Sequence, residues 1–378
     1  MKRLIYADNA ATTQLDIDAF EAMRPYLLSE YGNASQPYSF SRSPKAALRE
    51  ARETIAASIN ADPSEIFFTS GGTESDNWAI KGMLDGINHT GAIITSSIEH
   101  HAVLRACAAA ERMGSSVAYL SPTKEGVVTD EELRSIITPN TKLVSVMLSN
   151  NELGTIQPVA SLADTAHKNN AFFHTDAVQC VGHIPVDVKK LGIDMLSASA
   201  HKFNGPKGVG FLYVRGGTPL GVFMDGGGQE SKRRAGTENI ANIVGMAYAL
   251  ENNVSRLAEN MDHIAQLEIR LLSKLNEHGI MHVRNGGSNT VPGVMSLSFP
   301  GFSGEAILHR LDLLGVIVST GSACDGDETQ VSHVLRAIGL DDEIARGTIR
   351  VSIGKNNTAE EMDFIAASLN KILVKKES

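Results

Sequence analysis

The sequence predicts an α/β protein in which a largely parallel sheet is covered by helices and followed by a smaller α+β domain. Three observations carry this expectation. Apolar stretches of strand length recur through the first two thirds of the chain, amphipathic helical segments separate most of them, and the rhythm changes after "GTENI" at 236–240.

In chain order, "EIFFTS" (65–70), "AIITSS" (92–97), "KLVSVMLS" (142–149), "AFFHTD" (171–176), "DMLSAS" (194–199) and "GVGFLYV" (208–214) read as strands apolar on both faces. Strands of that kind belong to parallel sheets buried on both sides. Between them lie segments such as "PVASLADTAHKNN", where Pro158 suits a first helical position. After residue 238 a long helical run extends to about residue 278. It is followed by a strand in "VMSLSFP", a helix in "SGEAILHRLDLLG", a strand in "GTIRVSIG" and a final helix that Thr358 and Glu361 open as a capping box. These shifts divide the chain into a large domain, 15–255, and a small C-terminal domain, 256–378 together with 1–14.

Composition narrows the function classes. At about 150 residues per domain, the 378 residues suit a large α/β unit with a smaller companion. The hydrophobic share of 42% suits an ordinary soluble core. A net charge of −9 argues against direct nucleic-acid binding through phosphate contacts. The opening "MKRLIYADNAATT" lacks the apolar core of a signal peptide and no run reaches the ~18 apolar residues of a membrane span, so a cytoplasmic protein with no membrane contact is expected. Cys107, Cys180 and Cys324 are too scattered for a disulfide framework.

In open parallel sheets, ligands bind beyond the carboxyl ends of the strands. The residues at those ends here are unusually polar. In "TSGGTESDNWAIKG", Gly71, Gly72 and Thr73 stand at a strand-to-helix junction, where free backbone N–H groups and the helix dipole would cradle a phosphate. Alternatively, Thr73 caps the helix and Asp76 completes a capping box. Asp176 closes a strand and either caps the next helix or faces a heterocyclic nitrogen. At ~4 Å and an effective dielectric near 20, such a pair gains about 4 kcal/mol, or about three pKa units, enough to keep a pyridinium charged. Lys202 is either a solvated charge or, partly desolvated after its strand, a lysine able to form a Schiff base. A phosphate cradle, a pyridinium partner and a Schiff-base lysine together describe pyridoxal 5′-phosphate.

The motifs "YADNAATT", "FTSGGTESDNWAIKG", "EHHAVL", "NNELGTIQP", "HTDAVQ", "SAHKFNGPKG", "RRAGTENI" and "STGSAC…SHVLRAIGL" occur in the order and at about the spacing of the NifS/IscS-like cysteine desulfurases. The chain resembles these class V aminotransferase-like enzymes over essentially its whole length. The resemblance implies fold type I of the pyridoxal-phosphate-dependent transferases, with a mainly parallel seven-stranded sheet. It implies that Lys202 binds the cofactor covalently, that Asp176 pairs with its ring nitrogen, that Gln179 and Asn151 lie near the ring oxygen, and that His100 stacks on the ring. Gly72, Thr73, Ser199 and His201 match the phosphate ligands, and Thr237 matches one that reaches over from the second subunit of a homodimer. Arg350 matches the arginine that grips the substrate carboxylate, with Asn151 beside it.

The implied reaction turns L-cysteine into L-alanine, with Lys202 moving protons at the substrate Cα and Cys324 taking the sulfur as a persulfide for an acceptor or scaffold protein. That sulfur would serve iron–sulfur cluster assembly or tRNA and cofactor thiolation. No metal is implied. A selenocysteine lyase, a class V aminotransferase and a catalytically silent scaffold are the alternatives. The intact set of Lys202, Asp176, His100 and Cys324 counts against the last. Three features depart from the family pattern. Ala34 and Tyr38 replace the usual proline and histidine, Lys355 stands where arginine is common, and Asp325, Asp327 and Glu328 place like charges beside Cys324, which would raise its thiol pKa.

Overall fold

The computed structural model describes residues 4–88, 91–321 and 331–373. The described strands are β1 (Ile5–Tyr6), β2 (Ile66–Thr69), β3 (Ala92–Ser96), β4 (Ser116–Leu120), β5 (Thr141–Ser145), β6 (Phe172–Asp176), β7 (Met195–Ser199), β8 (Gly210–Val214), β9 (Val283–Asn285), β10 (Val294–Ser298), β11 (Val316–Ile317) and β12 (Thr348–Ser352). Seven of them form the central sheet in the order β2-β8-β7-β6-β5-β3-β4. β8 runs antiparallel to both β2 and β7, and the remaining pairings are parallel. The α/β class and the mainly parallel seven-stranded sheet are therefore both present.

All six apolar stretches form strands. β4 was missed because it is an edge strand. Ser116 and Tyr119 are exposed and Val117 and Ala118 only half-buried, so the segment lacks the continuous apolar run that marks a central parallel strand. The predicted run from 238 divides into two helices, Ile240–Ser255 and Leu257–Glu277, because Arg256 leaves helical geometry at φ −114°, ψ 19°. Pro158 caps the helix Val159–Lys168 from just outside rather than opening it. The box at the final helix Ala359–Leu373 forms as expected, with the Thr358 N–H donating to Glu361 and the Glu361 N–H donating to the Thr358 hydroxyl.

Apolar side chains collect in separate cores, and the largest lies along the central sheet. On the sheet's other face Trp78, fully buried, meets Phe67 edge-on at 5.5 Å and donates its indole N–H to the Gly221 carbonyl at 3.1 Å. Burying side chains of that size contributes about 1.5–3 kcal/mol each. A further core joins the helices Leu257–Glu277 and Ala359–Leu373 to the antiparallel sheet β12-β10-β9, and Ile5 and Ala7 near the start of the chain belong to it. β1 supplies them by pairing in parallel with β11. The chain then leaves this core at Asp8, which bridges to Ser352, and passes the ends of the large sheet's strands. That passage places Ala10–Thr13 against Lys202.

Candidate active site

The carboxyl ends of the parallel strands open into a cavity of about 580 Å³. At the first end, the helix Gly72–Gly86 starts without any side-chain cap. Its N-cap is Gly71 at φ 147°, a conformation that favours glycine, and a Cβ on Gly72 would come within 2.6 Å of Val178. Thr73 therefore does not cap the helix, and Asp76 does not close a box. The helix N-terminus stays open toward the cavity as an anion cradle, with Ser199 at the end of β7 and His201 beside it. His201 Nδ1 meets Thr12 Oγ1 at 3.2 Å. Burial, with Lys202 and Lys207 nearby, lowers its pKa to about 4, so the ring is neutral near pH 7.

Lys202 ends the short helical turn Ala200–Lys202 directly after β7. Its Nζ donates to the carbonyls of Ala10 and Ala11 at 2.6 and 2.9 Å, and Gln179 Nε2 reaches the same Ala10 oxygen at 3.0 Å. The glycines after Lys202 allow the tight backbone approach. A Cβ on Gly210 would sit 2.4 Å from the Ala198 carbonyl. Asp176 is buried at the end of β6 and accepts from the Val178 N–H at 2.9 Å in a turn, not at a helix start. Burial raises its pKa, while His100, the Val178 N–H and Lys202 pull it back down.

His100 is the N-cap of the helix His101–Arg112, its Nδ1 accepting from the Ala102 N–H at 3.1 Å. Desolvation lowers its pKa against the pull of Asp176. A neutral ring whose Nδ1 is an acceptor carries its proton on Nε2. Glu99, next to it, is fully buried and accepts from Ser96 Oγ at 2.5 Å and from the Met147 N–H at 3.0 and 3.1 Å. Burial pushes its carboxyl up to about 8.

Arg350 arrives from β12 in the other core. Nη1 donates to the Asn151 carbonyl at 3.0 Å and Nη2 to Asp8 Oδ1 at 2.9 Å, while Nε is buried without a partner. The fold thus gathers Gly72, Thr73, His100, Asn151, Asp176, Gln179, Ser199, His201, Lys202 and Arg350 around one cavity. Thr237 is exposed and lies outside it. Cys324, with Asp325, Asp327 and Glu328, lies outside the described residues. Cys107 and Cys180 are fully buried, and burial pushes the Cys107 thiol up to about 12.

Sequence reasoning missed Asp8, Asp76, Thr12 and His333 as cavity residues or their direct partners. Asp8 had no local signal, since its partner is 342 residues away. Asp76 carried one, because it sits one turn after Gly72, on the helix face turned toward the sheet.

The donor set fits pyridoxal phosphate. An open helix N-terminus suits the phosphate, a buried carboxylate suits a ring nitrogen, and a lysine amine shares the same cavity. Fold and cavity together suit a pyridoxal-phosphate-dependent enzyme of fold type I, and the comparisons with known proteins bear this out. Residues 5–365 match the class-V aminotransferase family. A cysteine desulfurase IscS of Dictyoglomus turgidum (strain DSM 6724 / Z-1310) is 44% identical over 377 residues, covering 99% of this chain and 96% of that one. A cysteine desulfurase IscS of Methanosarcina thermophila is 44% identical over 374 residues, covering 99% and 93%. Among solved structures, a NifS-like protein superposes with a TM-score of 0.93 at 39% identity, over 98% of this chain and 99% of that one. The chain belongs to the class-V aminotransferase family and, within it, to the cysteine desulfurases of the IscS/NifS type. Among the described residues, no helix is long and apolar enough to cross a membrane.

Proposed function

We propose that this cavity is where L-cysteine is desulfurated, with each residue in the role its surroundings favour. The observation that carries the reading is the meeting of Lys202, Asp176, an uncapped helix N-terminus and Arg350 in one space. Bound pyridoxal phosphate supplies an electron sink for charge developing at the substrate Cα. Gly72, Thr73, Ser199 and His201 would hold its phosphate, and Asp176 would pair with its ring nitrogen. Gln179 and Asn151 would lie near its ring oxygen, and His100, neutral and with its proton on Nε2, would stack on the ring.

Arg350, which lines the cavity with its guanidinium pinned by Asp8 and the Asn151 carbonyl, takes the substrate carboxylate. Asn151 and Asp8 hold the fork in place, so little side-chain entropy is lost on binding. Lys202 Nζ, released from the Ala10 and Ala11 carbonyls, removes and returns the proton at the substrate Cα. The Cys324 thiolate attacks the substrate sulfur. One S–S bond forms and the substrate C–S bond breaks, a proton completes L-alanine, and the protein keeps a persulfide. No external oxidant is needed, because the carbon is reduced as the two sulfurs are oxidised.

We further propose that the enzyme is a homodimer in which Thr237, exposed and outside its own cavity, completes the partner's phosphate site. The large domain, 15–255, then carries the cofactor and the small domain, 256–378 with 1–14, carries Arg350. The persulfide goes to an acceptor or scaffold protein in the cytoplasm. The decisive experiment measures sulfide and alanine released from L-cysteine with dithiothreitol as reductant, for the wild type and Cys324→Ala. Loss of both products with the bound cofactor's colour retained supports Cys324 as the sulfur carrier. Unchanged release overturns that role and favours a lyase, which needs no thiol.

A further inference from the structure

Asp76 is 1% exposed, and its Oδ1 has no hydrogen-bond partner. His174 Nε2 stands 3.7 Å from that oxygen, but both ring nitrogens are already engaged. Nε2 meets Ser197 Oγ at 3.0 Å and Nδ1 meets Ser145 Oγ at 2.8 Å. Burial lowers the His174 pKa to about 3, so the ring brings no charge to Asp76. Ligand-capable atoms of Asp76, His100 and Asp176 lie within 4.8 Å of one another. This trio is suited to protons rather than to a cation, because the Ala102 N–H occupies His100 Nδ1 and leaves Nε2 as a donor.

The groups that face Asp76 come from several elements. Ser197 belongs to β7, His174 and Asp176 to β6, Glu99 and His100 to the turn after β3, and Cys107 to the helix His101–Arg112. Two carboxyls this close in a desolvated pocket do not both ionise. Asp176 has the Val178 N–H, His100 and Lys202 to favour its charge. Asp76 has the Ser197 hydroxyl, while burial and Asp176 oppose its charge. Burial first, and the Asp176 carboxylate second, hold the Asp76 carboxyl well above its usual range.

We propose that Asp76 is a positioning residue, a neutral carboxylic acid held by Ser197 that leaves the negative charge of the pair on Asp176 for the cofactor's ring nitrogen. This role rests on the pairing of Asp176 with that nitrogen.

The test uses the full-length protein, with and without cofactor. Infrared difference spectra read the state of the carboxyls, and isotopically labelled pyridoxal phosphate reports ring-nitrogen protonation by its chemical shift. Asp76→Asn should remove a carboxylic-acid band at neutral pH and keep the ring nitrogen protonated. Asp76→Ala should retain cofactor about tenfold more weakly, and the Asn variant should restore most of that loss. Removal of a carboxylate band instead, or an Asn variant no better than Ala, overturns the proposal. Should Asp76→Ala fail to fold, Ser197→Ala reports on the same acid. Its band should shift as the hydroxyl is lost, and an unmoved band overturns the proposal. Asp176→Asn separates the two claims. A ring nitrogen still protonated there defeats the pairing of Asp176, and with it the purpose of Asp76. A deprotonated ring, together with a carboxylate band lost in Asp76→Asn, defeats the Asp76 assignment alone.

Discussion

The cavity at the strand ends encloses about 580 Å³, and a second one along Asn9–Gln14 encloses about 500 Å³, with Thr12 lining both. Four of the asparagines that line the second donate their amides to the backbone. Asn9 donates to Ser352, Asn204 to Gln14, Asn253 to Phe203 and Asn357 to Tyr6, at 2.7 to 3.0 Å. Its ammonium group, Lys355, is tied to Asp16 at 3.3 Å and to Asn253 at 2.9 Å. The first cavity holds the reverse. Asp76 Oδ1 and Arg350 Nε are buried without partners, and Asp176 sits where burial raises its pKa. Similar volume thus serves two ends. Satisfied amides fasten the N-terminal segment, whereas desolvated and incompletely paired groups line the proposed cofactor site.

Substitutions can break or sharpen that contrast. The largest effect is expected at Lys202. Lys202→Ala should cost at least about a thousandfold in alanine formation, ~4 kcal/mol, and abolish the visible absorption of covalently held cofactor. Normal absorption would show that another group binds it. Arg350→Lys should raise KM for L-cysteine about tenfold or more with a smaller change in kcat, because an ammonium cannot reproduce the fork held by Asp8 and Asn151. An unchanged KM would place the carboxylate site elsewhere.

Glu99 gives a pH signature. Below its ordinary value of 4.5 the acid is neutral in folded and unfolded chains alike, and between there and about 8 only the unfolded chain ionises. Stability from this group therefore falls as pH rises through that window and levels off above it. Thermal unfolding of the cofactor-free protein should show a shallower decline for Glu99→Gln than for the wild type. Equal slopes would mean that Glu99 titrates normally. The smallest effect belongs to the second cavity, where Lys355→Met should cost about 1 kcal/mol of stability and leave cysteine kinetics unchanged. Altered kinetics there would show that the two cavities communicate through Thr12.

Most of the cofactor cradle is legible in the amino-acid sequence. Strand periodicity locates β2, β3, β5, β6, β7 and β8, and the polar residues at their carboxyl ends are the cavity's walls. The open helix start at Gly71–Thr73 cannot be separated from a capped one by sequence, since both use small and hydroxyl residues and only the residue at which the helix begins decides, here Gly72 with Gly71 as the N-cap. Asp76 reads as a capping partner for the same reason, although its position one turn after Gly72 already puts it on the sheet-facing side.

The sequence by itself determined the strand and helix pattern, the order of the site motifs and the types of chemistry at the strand ends. These arise from backbone geometry repeated over a few residues. Tertiary structure decided which distant groups meet. Asp8 clasps Arg350 across 342 residues, and Arg350 reaches Asn151 across 199. Ala10 and Ala11 receive Lys202 from across more than 190. Such pairs have no local period to announce them. They exist because burial of Ile5 and Ala7 in the core beside β12 draws the N-terminal segment past the strand ends, and that packing also sets which carboxyls are dry enough to keep their protons.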